Sequence, residues 1–351
     1  MLNLTKTQKI CIQYGFLLLL ICMTVYLVST TLDITLIPMI MKLVNKKFIF
    51  IGFLIMVLYI ILECTIINIL IKTIQKTKVR FLAVKIAMMG FYYNLVTPFA
   101  SGSQPMQIYA LNKYDINLSK SIAIVTNKTV LFQTVVTIYS AVIIFLNIEV
   151  LKNELPSMLV LMSIGMVMNI VSLLGGMLIV LTPNTMKIIV KVIVNILYRL
   201  NIFKSLNKKI HTINKFIDEY SYSIKLFIKN KKALFLSIIL TIIQLTVFFS
   251  ISYCVYKAFN LNGLSIFEVL SLQVFLYMSV SPIPTPGNVG ANEVAFLTIF
   301  ANVFPGNIIG YSVFLYSIYV YYFLVVVCGV FTIHTHYHMN KRKNKNGNYS
   351  L

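Results

Sequence analysis

Apolar residues gather into blocks of about 20 along the chain, each long enough to cross a ~30 Å hydrocarbon core as a helix. Uninterrupted blocks cover residues 11–28, 48–71, 121–146, 158–181, 233–256 and 308–333, and each predicts a membrane span. Two further blocks are broken. One runs over residues 81–96 and then meets Pro98, Gly102 and Pro105. The other runs over 266–280, meets Pro282, Pro284, Pro286 and Gly287, and resumes over 291–304. Proline removes a backbone donor and glycine loosens a helix, so both breaks interrupt a helix at membrane depth.

Loop charge decides the threading. Residues 72–85 carry Lys72, Lys76, Lys78, Arg80 and Lys85 with no acid. The 182–232 loop carries eleven positive residues against Asp218 and Glu219, the tail carries Lys341, Arg342, Lys343 and Lys345, and the N-terminus carries Lys6 and Lys9. All four are expected on the cytoplasmic side. The 147–157 connection, with Glu149, Lys152 and Glu154, is expected outside. These signs agree only if the first broken block enters from the cytoplasm and returns, and the second does the same from outside. One loop disagrees, since residues 31–47 then lie outside despite Lys42, Lys46 and Lys47 against Asp33.

The predicted fold is an all-α polytopic membrane protein, with about six full spans and two re-entrant helical hairpins arranged as an inverted repeat. It forms a single membrane domain over 1–351, with a first half 1–150 and a second half 158–333. A cytoplasmic loop covers 182–232 and a basic tail 334–351. A plain eight-to-nine-span protein with kinked helices is the alternative. The block at 11–28 lacks a small-residue cleavage site and reads as an uncleaved first span. Within the 182–232 loop, Lys187, Lys191, Asn195 and Arg199 form a polar stripe on one helix. Ile210, Ile213, Ile217, Tyr220, Ile224 and Phe227 form an apolar stripe on the next. Both predict amphipathic helices lying on the inner leaflet.

Composition agrees with this reading. Of 351 residues 59% are hydrophobic and 11% charged, against roughly 25% charged in soluble domains. A soluble enzyme is excluded, and the spans leave no stretch for a separate catalytic domain of ~100 residues. Thirty Lys and Arg against nine acids give a net charge of +21. Because this charge sits in loops, anionic lipid head groups are the expected partner and no nucleic acid is. Cys11, Cys22, Cys64, Cys254 and Cys328 lie inside apolar stretches without a CxxC pair and read as packing residues. His334, His336 and His338 alternate in the tail. They are weak candidates for a metal site, and no cofactor is expected. Only Arg80, Arg199 and Arg342 are arginines in a chain rich in Lys, Ile and Asn, which points to a low-GC bacterium and its cytoplasmic membrane. Both termini are expected inside.

The two breaks carry the candidate chemistry. Around the first lie Asn94, Thr97, Ser101, Gly102, Ser103, Gln104 and Gln107. Their neutral hydrogen-bonding groups, with backbone amides at a broken helix end, suit a lipid phosphate. A simple loop between helices is the competing reading. Around the second lie Gly287, Asn288, Asn292 and Glu293. A carboxylate at membrane depth needs a wet cavity or a cation, so Glu293 is expected to face Lys128 or a ligand ammonium. Glu63 is the other internal acid, and an ion pair with a purely structural role is also open.

The run Thr97-Pro98-Phe99-Ala100-Ser101-Gly102-Ser103-Gln104-Pro105 and the following Ile108-Tyr109-Ala110-Leu111-Asn112-Lys113 resemble the lysylphosphatidylglycerol synthase transmembrane family. So does Pro284-Thr285-Pro286-Gly287-Asn288-Val289-Gly290-Ala291-Asn292-Glu293. Many relatives have Gly-Gly-Gln-Pro and Pro-Gly-Gly where Ser103 and Asn288 replace one glycine each. The resemblance covers nearly the whole chain and is to the flippase-like region of the multiple peptide resistance factor. It implies movement of an aminoacylated phospholipid between leaflets, and with it resistance to antimicrobial peptides. It also implies a second function, lysyl transfer from lysyl-tRNA to phosphatidylglycerol, which full-length members perform with a cytosolic domain. These residues supply no such domain and no nucleophile–base pair, so a transferase role requires a separate soluble partner. A scaffold, or a carrier of another lipid such as a glycolipid or polyprenyl phosphate, is the third reading.

Overall fold

A computed structural model of the chain describes residues 35–77, 79–98, 101–182 and 206–345. The predicted first span at 11–28, its two cysteines and the Lys187–Arg199 stripe lie outside these residues. In chain order the helices are α1 (Leu36–Leu43), α2 (Lys46–Ile74), α3 (Leu82–Val96), α4 (Ser103–Lys113), α5 (Leu118–Leu146), α6 (Ile148–Glu154) and α7 (Pro156–Leu181). Then follow α8 (Leu206–Lys229), α9 (Lys231–Phe249), α10 (Ile251–Ala258), α11 (Ile266–Val280), α12 (Ala291–Ile299), α13 (Ile309–Ser317) and α14 (Leu324–Lys345). A π-helical segment, Ile318–Phe323, joins the last two.

Among the described residues, five helical stretches are long and apolar enough to span a membrane: Lys46–Ile74, Leu118–Leu146, Met158–Leu178, Lys231–Ala258 and Ile309–Met339. They match five of the six uninterrupted blocks, and the chain is an all-α polytopic membrane protein. The Ile309–Met339 stretch is the central pillar, with 72% of its apolar window buried against 17–33% for the other four. Outward-facing Phe50, Phe145 and Val160 are exposed, as expected of side chains that meet lipid. Small residues admit the pillar's aromatics. A Cβ on Gly52 would come within 2.5 Å of the Tyr319 ring, whose hydroxyl donates to the Ile49 carbonyl at 3.0 Å.

Both broken blocks form helix pairs. The first gives α3 and α4, and the second gives α11, a short 3₁₀ turn at Pro286–Asn288, and α12. The resumed helix stops at Ile299, short of the predicted 304, where the chain turns toward Pro305 and Gly306. Connections expected on one side meet in space. The Asn45 amide donates to the Ala258 carbonyl at 2.8 Å, and the Asn147 side chain donates to Ser271 Oγ at 3.3 Å.

The 206–229 segment corrects one expectation. Its apolar stripe does not face lipid over its second half: Ile217, Tyr220, Ile224 and Phe227 are buried. Tyr220 and Ile224 pack on Ala123 of α5, and Ser119 Oγ donates to Glu219 at 2.6 Å. Burial pushes the Tyr220 phenol above its ordinary pKa. Amphipathic periodicity alone does not distinguish a lipid surface from a neighbouring helix. The tail also departs from the sequence reading, because α14 continues to Lys345 and turns His336 inward.

Candidate functional site

Thr97 closes the first break. Its hydroxyl donates to the Tyr93 carbonyl at 2.6 Å and accepts the Gly102 amide at 2.9 Å. Gly102 is needed there, since a Cβ would lie 2.7 Å from Thr97 Cγ2. Ser101 Oγ donates to the Pro98 carbonyl at 2.9 Å. Gln107 is buried on α4, where its amide donates to the Ile86 carbonyl at 3.3 Å and fills the space over Gly90. These residues shape the hairpin. Asn94 and Gln104 are exposed, and their side chains make no hydrogen bond to another described residue.

The second break is built on left-handed backbone. Gly287, Asn288 and Gly290 have φ of 59°, 57° and 81°, a region that glycine and asparagine tolerate best. Glu293 opens α12 and is held by hydrogen bonds. One carboxylate oxygen accepts the Gly290 amide at 2.6 Å, and the other accepts the Ser317 hydroxyl at 2.8 Å. Negative charge at a helix N-terminus is favoured, so this position needs no cation.

Of the two partners expected for Glu293, Lys128 pairs with the other internal acid instead. Lys128 Nζ lies 2.6 Å from Glu63 Oε1, and Gln244 Nε2 donates to Glu63 Oε2 at 3.0 Å. This triad ties α5 to α2 and α9. The Glu63 side chain is only 5% exposed, so the nearest available lysine neutralises it. Lys128 is therefore taken up in an internal pair rather than presented at the breaks.

The two breaks converge. A Cβ on Gly287 would fall 2.9 Å from the Leu95 carbonyl and 2.4 Å from the Tyr321 ring. The turn of the second hairpin thus rests on the end of α3, against the π-helical segment of the pillar. Such π-segments recur at functional sites. Asn94 adjoins this contact in sequence. Asn288 and Asn292 lie beside the turn, half-buried and without a side-chain hydrogen bond to a described residue.

A family model described as the lysylphosphatidylglycerol synthase TM region matches residues 12–328. The chain belongs to this family. No curated protein and no solved structure matches it. Within this lysylphosphatidylglycerol synthase TM region, the two broken segments and all the residues just described fall inside the matched range.

Two polar networks were missed from the sequence. Gln133 donates to both oxygens of Asn169, backbone at 3.1 Å and side chain at 2.7 Å, and Asn169 donates to Ser281 Oγ at 3.2 Å beside the second break. Ser252 donates to Gln273, which donates to the Tyr316 hydroxyl at 2.7 Å. The available signal was amides at the centre of apolar spans, which need partners there. His336 Nε2 lies 2.8 Å from the Tyr93 hydroxyl, and no group of three metal-ligating side chains occurs among the described residues. Between α5 and α9 runs an apolar groove of about 560 Å³, lined by Leu131, Ile138, Val142, Leu234 and Ile238, with Asn127 within it.

Proposed function

We propose that the chain moves an aminoacylated or otherwise modified phospholipid, such as lysylphosphatidylglycerol, across the cytoplasmic membrane without covalent chemistry. The observation that carries this reading is the meeting of two broken helices where Gly287 rests on the Leu95 carbonyl, with exposed Asn94 and Gln104 on the first break and half-buried Asn288 and Asn292 on the second, their amides unused by described residues. Polar side chains on interrupted helices within apolar blocks are open to a polar ligand. Asn94, Gln104 and nearby backbone amides hold the lipid phosphate, with Thr97, Ser101, Gly102 and Gln107 shaping the loop that presents them. Glu293 and the amides of Asn288 and Asn292 receive a cationic head group. The hairpins enter from opposite leaflets, one from each half of an inverted repeat, a common plan for sites at the bilayer midplane. The apolar groove beside α5 supports the same reading, since its hydrocarbon walls suit an acyl chain.

The test is expression in bacteria that make lysylphosphatidylglycerol but lack a means to export it. Total lysyl lipid and the fraction reached by a membrane-impermeant amine reagent are measured in the same cells. A larger outer fraction at constant total is expected. A larger total in cells lacking the synthase would instead assign the transferase reaction to this chain, acting alone or with a soluble subunit. No change in either would remove lysylphosphatidylglycerol as the substrate.

A further inference from the structure

A second cavity, of about 520 Å³, opens between the C-terminal half of α2 and the start of α3, away from the meeting point of the breaks. Along α2, Ile61, Cys64, Thr65, Asn68 and Lys72 line it at spacings of three and four, which places them on one helix face. Apolar Ile60, Val84 and Met88 complete its inner walls. Beyond Thr65, polar groups gather at one end, where Lys72, Asn68 and Thr77 sit. The Asn68 amide makes no hydrogen bond to a described residue, and Lys72 is exposed. No acid is among the described residues that line the cavity.

The mouth is basic and aromatic. Lys76 is exposed, and Arg80 stacks over the Phe81 ring at 4.9 Å, itself 64% exposed. Phe81 takes φ of 55° and offers no side-chain cap to the first turn of α3, so amide hydrogens there also face this end. Charge complementarity and the apolar depth select one occupant. A free phosphate leaves the inner walls unfilled, and a zwitterionic head group brings its own cation to a basic rim.

We propose that this cavity is a binding site for an anionic phospholipid of the leaflet facing the 72–85 loop, separate from the transport path. Lys72 and Asn68 hold the phosphodiester, and one acyl chain lies against Ile61, Val84 and Met88. Basic pockets between helices at this level bind anionic head groups in other membrane proteins.

Native mass spectrometry of the delipidated full chain, titrated with phosphatidylglycerol in detergent, reads the affinity of the first bound lipid. It measures binding and not transport, so its outcome is independent of the proposed function. Lys72→Gln with Asn68→Leu is expected to raise that dissociation constant roughly tenfold or more, the loss of a charge-assisted contact. Lys46→Gln, exposed at the opposite end of α2, should change it less than about twofold. Ile61→Trp, at an exposed position, should also displace the lipid by filling the cavity, and circular dichroism confirms that each variant keeps its helices. Excess glycerophosphate should not compete. Unchanged affinity in the double variant, equal retention of phosphatidylcholine, or competition by glycerophosphate would each overturn the site.

Discussion

Glu63 is the most demanding single residue, because its carboxylate is buried in a span and answered by one lysine and one amide. Removing one member of such a pair leaves an uncompensated charge, at a cost of about 3–5 kcal/mol. Lys128→Met is therefore expected to lower the thermal midpoint in detergent strongly, and adding Glu63→Gln should recover most of the loss. If the double variant is no more stable than the single one, the pair is not what holds these spans. Glu293 differs, since hydrogen bonds from Gly290 and Ser317 already satisfy it. Glu293→Gln should keep the fold and midpoint yet lose most of the gain in outer-leaflet lysyl lipid. Unchanged export would take Glu293 out of the site. The charged residues themselves were plain in the sequence, whereas their pairing was not. Which acid meets Lys128 depends on which faces of α2, α5 and α12 touch, and no spacing within one helix encodes that.

Helix breaks are the best-read elements of this chain. Proline and glycine remove hydrogen bonds locally, so Pro98, Gly102, Pro284 and Pro286 marked the interruptions directly. Their convergence was not readable, because it arises from a contact between Gly287 and Leu95 far apart in sequence. The stripe on α8 was readable as periodicity, but its partner was not, and α5 covers it. Close helix packing yields a contrast that can be checked. A Cβ on Gly165 would lie 2.0 Å from the Met278 carbonyl, a backbone atom at the end of α11 that cannot swing away. On Gly90 it would meet the Gln107 amide at the same distance, but that is the end of a flexible side chain. Gly165→Ala should therefore cost about 1–3 kcal/mol. Gly90→Ala should stay within about 1 kcal/mol, because helix propensity offsets the displaced amide. Thermal midpoints measured side by side decide it, and equal losses would mean that α7 and α11 are not in backbone contact.

At the scale of the molecule, two broken helix pairs meet against the central pillar, itself one of the five membrane-length apolar helices among the described residues. A static bundle of this composition has no need of interrupted helices, because continuous ones satisfy every backbone group in lipid. The breaks have a use if they open a polar path for a head group while the acyl chains stay in hydrocarbon. Gly287 is the point where that path is most exposed to substitution, since φ of 59° and the contact with Tyr321 leave no room for a side chain. The most direct measurement uses vesicles containing the purified chain and lysylphosphatidylglycerol with a fluorescent acyl chain. The rate at which an impermeant amine reagent reaches lipid of the inner leaflet is followed for wild type, for Gly287→Val and for protein-free vesicles. Wild type should expose inner-leaflet lipid well above the protein-free rate, with Gly287→Val close to that background. A wild-type rate equal to protein-free vesicles would contradict lipid translocation by this chain.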